Sequence, residues 1–319
     1  MKKEICFIGV LLVIGAVLSG CSEQPSKEEY PELIAVKNWA YQLQNADPDV
    51  IAASGFELVV VDYSKDGSEE RRYSSEEINR IKDSGIVPIA YISIGEAEDY
   101  RFYWQEGWRQ NPPSWLGEEN PEWEGNYAVK YWNEGWKDII LSYLDKIMEQ
   151  GFSGVYLDKV DEFEYWSSPN NNGDVHLSEE EAARRMINLI TDIANYCRGK
   201  SDSSFYIIPQ NGERLINFDN SSLLDTISGW AVEDLFYDGT DPIPPNVTQE
   251  RTHYLDAVYA AGKPVFSVDY VDDGSGYSGG NKERIDDYYG KALNKGYIPY
   301  AAKSDRELDE LNVIGGIQP

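Results

Sequence analysis

Cysteine is scarce in this chain, three among 319 residues. Cys6 falls within an N-terminal apolar run, Cys21 closes it, and Cys197 stands alone in the body, so a mature monomer has no disulfide framework available. Stability has to come from a core, which a chain of this length with 41% hydrophobic residues can build. Histidine is rarer still. His176 and His253 have no paired Cys/His spacing, which argues against a zinc centre, and both are expected on the surface. Basic residues are few as well: 28 Lys and Arg against 56 Asp and Glu give a net charge of −28. Such a balance repels nucleic acid and anionic membrane surfaces and attracts a cationic polymer, unless it serves solubility alone.

Nucleotide signatures are missing. A dinucleotide site needs a glycine-rich turn after the first strand, where this chain reads Asn38-Trp39-Ala40-Tyr41. There is no G-x-x-x-x-G-K-[ST] loop, and no H-I-G-H or K-M-S-K-S signature of an aminoacyl-tRNA synthetase. No cofactor is expected. Nor is there a long hydrophobic run: Lys2 and Lys3 precede an apolar stretch from Ile5 to Leu18, short for a membrane span. Its end, Leu18-Ser19-Gly20-Cys21, resembles a bacterial lipobox, which implies lipidation at Cys21. An ordinary signal peptide or an uncleaved anchor is the alternative. The expected layout is a lipoprotein signal peptide over 1–20, a polar lipidated tether over 21–30 and one folded domain over 31–319. The chain is then exported, facing the extracytoplasmic side, and touches the membrane through the lipid only.

What is present is a repeating unit: a short apolar run ending in polar or aromatic residues, a loop, an amphipathic helix, and usually a glycine before the next run. The runs are Ala35 into Trp39, Glu57 to Tyr63, Ile86 to Ser93, Gly154 to Asp161, Phe205 to Pro209, Ile227 to Val232, Pro264 to Val268 and Tyr297 to Ala302. Ser74 with Glu77 and Ser178 with Glu181 fit capping boxes, and Ser304 with Glu307 suggests a final helix. Strands alternating with helices in this number predict an α/β fold, a (β/α)8 TIM barrel with an aromatic-rich insertion after strand three. An open doubly wound sheet is the other architecture the pattern allows.

In a barrel the C-terminal strand ends converge, and polar residues collect there: Asp62, Glu96, Asp158, Asp161, Glu213, Glu233 and Asp269. The focal stretch is Gly154-Val155-Tyr156-Leu157-Asp158, a buried strand delivering a carboxylate. Asp158 could instead cap the following loop or pair with a neighbouring cation. Converging carboxylates with little Lys or Arg nearby in sequence should have their pKa values pushed apart, which suits an acid and a base in one pocket, as glycoside hydrolysis requires. Trp104, Trp108, Trp115, Trp123, Trp132 and Trp136 crowd the insertion. Flat rings of this kind stack on sugars and attract cations, though any one of them could equally fill a core.

These residues resemble a known family. Trp39 with Tyr41-Gln42-Leu43-Gln44, Val61-Asp62-Tyr63-Ser64, Tyr91-Ile92-Ser93-Ile94-Gly95-Glu96, the strand ending at Asp158, Pro209-Gln210-Asn211-Gly212 and the pair Glu233-Asp234 are similar to extracellular TIM-barrel glycosidase-like proteins of glycoside hydrolase family 114. The resemblance runs from about Tyr30 to the end. It implies endo-α-1,4-polygalactosaminidase-like cleavage of a cationic galactosamine polymer, with Asp158 and Glu233 as catalytic carboxylates, Asp158 the nucleophile and Glu233 the acid/base. Lys159 stands where an asparagine is expected. Supporting substrate contacts are assigned to Trp39, Asp62, Tyr63, Glu96, Asp161, Gln210, Asn211, Asp269, Tyr270 and Tyr300. The alternative is a non-catalytic carbohydrate-binding lipoprotein on the same scaffold.

Overall fold

The chain divides into two units, Met1–Tyr30 and Pro31–Pro319. The computed structural model describes residues 33–201, 205–219 and 222–319, all in the second. The signal peptide, the tether and Cys21 lie outside the described residues.

Eight strands carry the fold: β1 (Trp39–Gln42), β2 (Leu58–Val61), β3 (Val87–Ser93), β4 (Gly154–Asp158), β5 (Tyr206–Pro209), β6 (Trp230–Glu233), β7 (Val265–Asp272) and β8 (Ile298–Lys303). The helices between them are α1 (Pro48–Ala52), α2 (Ser75–Asp83), α3 (Glu134–Gln150), α4 (Glu162–Ser167), α5 (Glu179–Lys200), α6 (Ser222–Thr226), α7 (Pro245–Ala260) and α8 (Gly279–Asn294). Every ladder among the eight strands is parallel, β1 through β5 in one run and β6, β7, β8 in another. A single parallel bridge, Gln210 to Ala231, joins β5 to β6. Between β8 and β1 no ladder forms among the described residues; instead the Trp39 indole donates to the Ile298 carbonyl at 2.9 Å. The architecture is TIM-barrel-like, and the seam is closed by side chains.

Why these residues make these elements is local. The strands are Val/Ile-rich runs buried on both faces, as parallel strands under helices must be. Ser74 and Glu77 satisfy each other's backbone at the start of α2 in a full capping box, while Ser178 caps α5 from its side only. Helix α3 ends at Gly151 with φ 92°, a conformation a residue with Cβ resists. The barrel interior is aromatic. Trp39 of β1 meets Tyr156 of β4 at 6.3 Å, Phe266 of β7 at 5.4 Å and Tyr300 of β8 at 5.9 Å between ring centroids. The contact from β1 to β4 runs through the middle of the barrel.

The insertion after β3 forms a small antiparallel sheet from Glu96–Glu98, Asn126–Val129 and Leu116–Glu119, in that order. Tryptophan packing holds it down, with Trp115 against Trp136 at 5.0 Å and the Trp136 indole donating to the Ile94 carbonyl at 2.9 Å. The helix expected after β8 does not form. Arg306 and Leu308 take φ values of 63° and 49°, incompatible with a right-handed helix. The Leu308 carbonyl accepts from Leu43 and Gln44 amides at 2.8 and 3.0 Å, so this segment laces the barrel seam instead.

Candidate functional site

Register places the two focal carboxylates. Ser93 pairs with Asp158 across β3 and β4, and Glu233 pairs with Val268 across β6 and β7, with Ser93, Asp158 and Glu233 each the last residue of its strand. With β5 between them, both carboxylates finish their strands at one end of the barrel. Both are half-buried.

Asp158 accepts the Tyr91 hydroxyl on Oδ2 at 2.6 Å and the Lys159 amide on Oδ1 at 2.7 Å. The second bond exists because Lys159 adopts φ 59°, turning its N–H back onto the preceding side chain. Gly95 makes room for that turn, since a Cβ there would meet the Lys159 carbonyl oxygen at 2.1 Å. Burial pushes the Asp158 carboxyl up to about 6, opposed by the Lys159 charge and the Tyr91 hydrogen bond. Glu233 accepts the Tyr270 hydroxyl at 2.5 Å. Its carboxyl is pushed up to about 8, first by burial and then by the charge of Asp158, so the two groups share one electrostatic environment. Tyr41 and Tyr156 lie beneath, their rings 5.2 Å apart. Burial, then the charges of Glu233 and Asp158 above, keeps both phenols protonated.

Apart from Asp161, the remaining strand-end acids are occupied. Asp62 sits 2.6 Å from Arg101, which also binds Glu98 at 2.7 Å, all three buried. Glu96 holds the Lys159 ammonium at 2.9 Å and accepts from Asn120 at 2.8 Å. Glu213 pairs with Arg251 at 2.5 Å. Asp234, beside Glu233, is gripped by two Arg306 nitrogens at 2.9 Å each. Asp269 is fully buried and accepts the amides of Leu235, Phe236 and Tyr237 at 2.8 to 2.9 Å, pinning the loop after β6. The expectation of carboxylates with little Lys or Arg nearby is therefore corrected: cations arrive from elsewhere in the chain. Among the described residues, Asp158 and Glu233 form no salt bridge.

Of the other residues expected to contact substrate, Tyr270 and Asp161 lie beside the pair. Tyr270 does so through its hydrogen bond, and Asp161 through its charge, which raises Asp158. Gln210 follows β5, between the two carboxylate strands, with its side chain fully buried and both amide atoms unpartnered among the described residues. Asn211 instead supports β6, its Oδ1 accepting the Glu233 amide at 3.0 Å. Three aromatic expectations are corrected by burial. Trp39 is the barrel-centre ring described above. Tyr63 is 0% exposed, packed 4.9 Å from Tyr143, with its hydroxyl spent on the Gly67 carbonyl. Tyr300 is 1% exposed and its hydroxyl accepts from the Asn312 amide. Tyr91 went unassigned, although strand alternation from Ser93 puts it on the Asp158 face.

Two carboxylates without salt bridges at the strand ends of a barrel, over a phenolic floor, are an arrangement that glycoside hydrolysis can use. The sequence profile of glycoside hydrolase family GH114 matches residues 22–317, and the chain belongs to that family. It is 62% identical over 275 residues to an uncharacterized protein of Methanocaldococcus jannaschii, covering 86% of this chain and 78% of that one. With an uncharacterized protein of Thermotoga maritima it shares 53% identity over 317 residues, 99% of this chain and 95% of the relative. Among solved structures, the glycoside hydrolase domain of PelA from Pseudomonas aeruginosa superposes with a TM-score of 0.62 at 18% identity, covering 87% of this chain and 98% of that one. Ega3 of Aspergillus fumigatus, solved in complex with galactosamine, gives 0.62 at 18% identity over 88% of this chain and 95% of its own. At that identity the two structures bear on the fold.

Proposed function

We propose that the chain hydrolyses an amino-sugar polysaccharide of the polygalactosamine type, using Asp158 and Glu233. One observation carries the reading: Asp158 and Glu233 end their strands half-buried at the same end of the barrel with no salt bridge among the described residues, and the charge of Asp158 opposes the ionisation of Glu233. Their values of about 6 and about 8 leave Asp158 mainly ionised and Glu233 mainly protonated at neutral pH.

Glu233 then gives its proton to the glycosidic oxygen as the bond to the anomeric carbon breaks, and an Asp158 oxygen bonds to that carbon. Glu233, now a carboxylate, takes a proton from water as the water oxygen displaces Asp158, which restores both groups. The net charge of −28 draws in a cationic polymer, and the galactosamine in the Ega3 complex is a sugar of that kind. Export and lipidation at Cys21 place this chemistry outside the cytoplasm. No helix among the described residues is long and apolar enough to cross a membrane.

The test is release of reducing ends from partly deacetylated α-1,4-linked galactosamine polymer. Asp158→Asn and Glu233→Gln are each expected to lower the rate by roughly 10²- to 10⁴-fold without lowering the thermal midpoint. Polymer binding without turnover in the wild type would mark a carbohydrate-binding protein instead.

A further inference from the structure

The six tryptophans of the insertion do not share one fate. Trp104 packs on Trp108 and Tyr127, Trp108 on Trp115, Trp115 on Trp136, and Trp132 on Tyr131 and Trp166, with centroids 4.9 to 5.3 Å apart. Trp123 has no ring partner among the described residues and is 57% exposed. A single exposed apolar side chain is ordinary on a protein surface, so what the indole binds has to be read from its neighbours.

Its surroundings indicate what. Trp123 lies between Glu122 and Glu124, with Glu118 and Glu119 on the preceding strand, all exposed. None of the four forms a salt bridge among the described residues, and the segment 117–126 contains no Lys or Arg. An exposed indole flanked in the chain by exposed glutamates is complementary to a ligand with an apolar C–H face and a positive charge, which is the chemistry of a hexosamine with a free amine.

The turn is also fixed to the barrel end that carries the carboxylates. The Trp123 amide donates to the Asn120 carbonyl at 3.3 Å, and the Asn126 amide donates to the Trp123 carbonyl at 3.1 Å. The side chains of Asn120 and Asn126 both donate to Glu96, at 2.8 and 3.4 Å. Glu96 in turn holds Lys159, the residue after Asp158. The indole is therefore presented on a braced turn tied, through Glu96, to the end of β4.

We propose that Trp123 with Glu122 and Glu124 is a distal binding platform for a glucosamine- or galactosamine-type unit bearing a free ammonium, engaging a polymer whose scissile bond lies at Asp158 and Glu233. The proposal rests on the hydrolase reading above and extends it to a second point of attachment. Its effect is confined to substrates long enough to reach both.

The test uses the full chain purified in detergent. Galactosamine oligosaccharides of about three and about ten or more units serve as probes, together with the N-acetylated long oligosaccharide. In the Asp158→Asn background, Trp123→Ala is expected to weaken binding of the long free-amine probe roughly 3- to 30-fold, to leave the trimer unaffected, and to be rescued by Trp123→Phe. Glu122→Gln with Glu124→Gln should weaken the same probe and flatten its salt dependence. In the active chain, Trp123→Ala should raise KM for the long substrate with kcat unchanged. Unchanged affinity and KM for the long probe overturn the platform, and equal Trp123 dependence with the N-acetylated probe overturns its preference for ammonium. A wild type that binds through Trp123 but cleaves nothing leaves the platform standing and removes the hydrolase reading.

Discussion

Tyr270 donates its hydroxyl to Glu233 Oε1 at 2.5 Å, from the strand next to the one that carries the carboxylate. A donor on a carboxyl oxygen favours the ionised form, so this bond holds Glu233 below the value that burial and Asp158 would give it. The activity profile against pH should be bell-shaped, rising as Asp158 ionises near 6 and falling as Glu233 loses its proton near 8. Tyr270→Phe removes the donor, so the alkaline limb should move to higher pH while the acid limb stays. Tyr91→Phe should do the reverse, raising Asp158 and moving the acid limb up. An initial-rate pH profile of each variant decides; an alkaline limb that does not move in Tyr270→Phe counts against Glu233 as the proton donor.

Lys159 separates the two carboxylates electrostatically. Its ammonium is held by Glu96 at 2.9 Å, and its charge is the largest influence opposing burial at Asp158. Lys159→Met should raise the Asp158 value and narrow the bell from its acid side, with Lys159→Arg restoring much of it because the charge is kept. A purely structural role would lower kcat at all pH values alike and leave the limbs in place.

Glu233 is carried at a cost to stability whose sign is set by linkage. Its folded value, about 8, lies above the ordinary 4.5, so the folded chain holds a proton that the unfolded chain releases between those limits. That contribution is fully present below about 4.5 and lost as pH rises through about 8. Glu233→Gln, which never ionises, should therefore unfold at a higher temperature than the wild type at pH 8, the advantage shrinking towards pH 5. Thermal melts at the two pH values measure it, and a gap that widens on acidification contradicts the assignment.

The order of the strands was legible because apolar runs alternate with helices, although the first strand is Trp39–Gln42 where the run was read as ending at Trp39, and the seventh continues past Val268 to Asp272. The partners of the strand-end carboxylates were not legible. Arg101 reaches Asp62 across 39 positions, Arg251 reaches Glu213 across 38, and Arg306 reaches Asp234 across 72. Charge counted near each acid in the sequence therefore suggested an unpaired cluster where the fold supplies cations. The same long-range closure accompanies the missing final helix: Ser304 and Glu307 carry a capping pattern, but Arg306 and Leu308 hold left-handed backbone while Arg306 binds Asp234 and the Leu308 carbonyl accepts from Leu43 and Gln44, just after β1. Tyr63 and Tyr300 were misplaced for a different reason, since a tyrosine near a strand end has the same sequence signature whether its ring faces a cleft or a core.

Arg101 offers the sharpest test of that buried pairing. It is 4% exposed, lies between Asp62 at 2.6 Å and Glu98 at 2.7 Å, and has the ring of Tyr100 4.9 Å from its guanidinium carbon. Burial raises the Asp62 value to about 6, and the Arg101 guanidinium restrains that rise. Arg101→Met should cost roughly 3–5 kcal/mol, because it leaves two buried carboxylates without compensation. Combining it with Asp62→Asn and Glu98→Gln should recover part of that loss, since neutral amides need no counter-ion. Denaturant unfolding at pH 7 reads both numbers. If the single variant loses no more than a surface ion pair, about 0–1 kcal/mol, then Asp62 is not bound to Arg101 in solution and becomes available to a substrate ammonium, as the sequence first suggested.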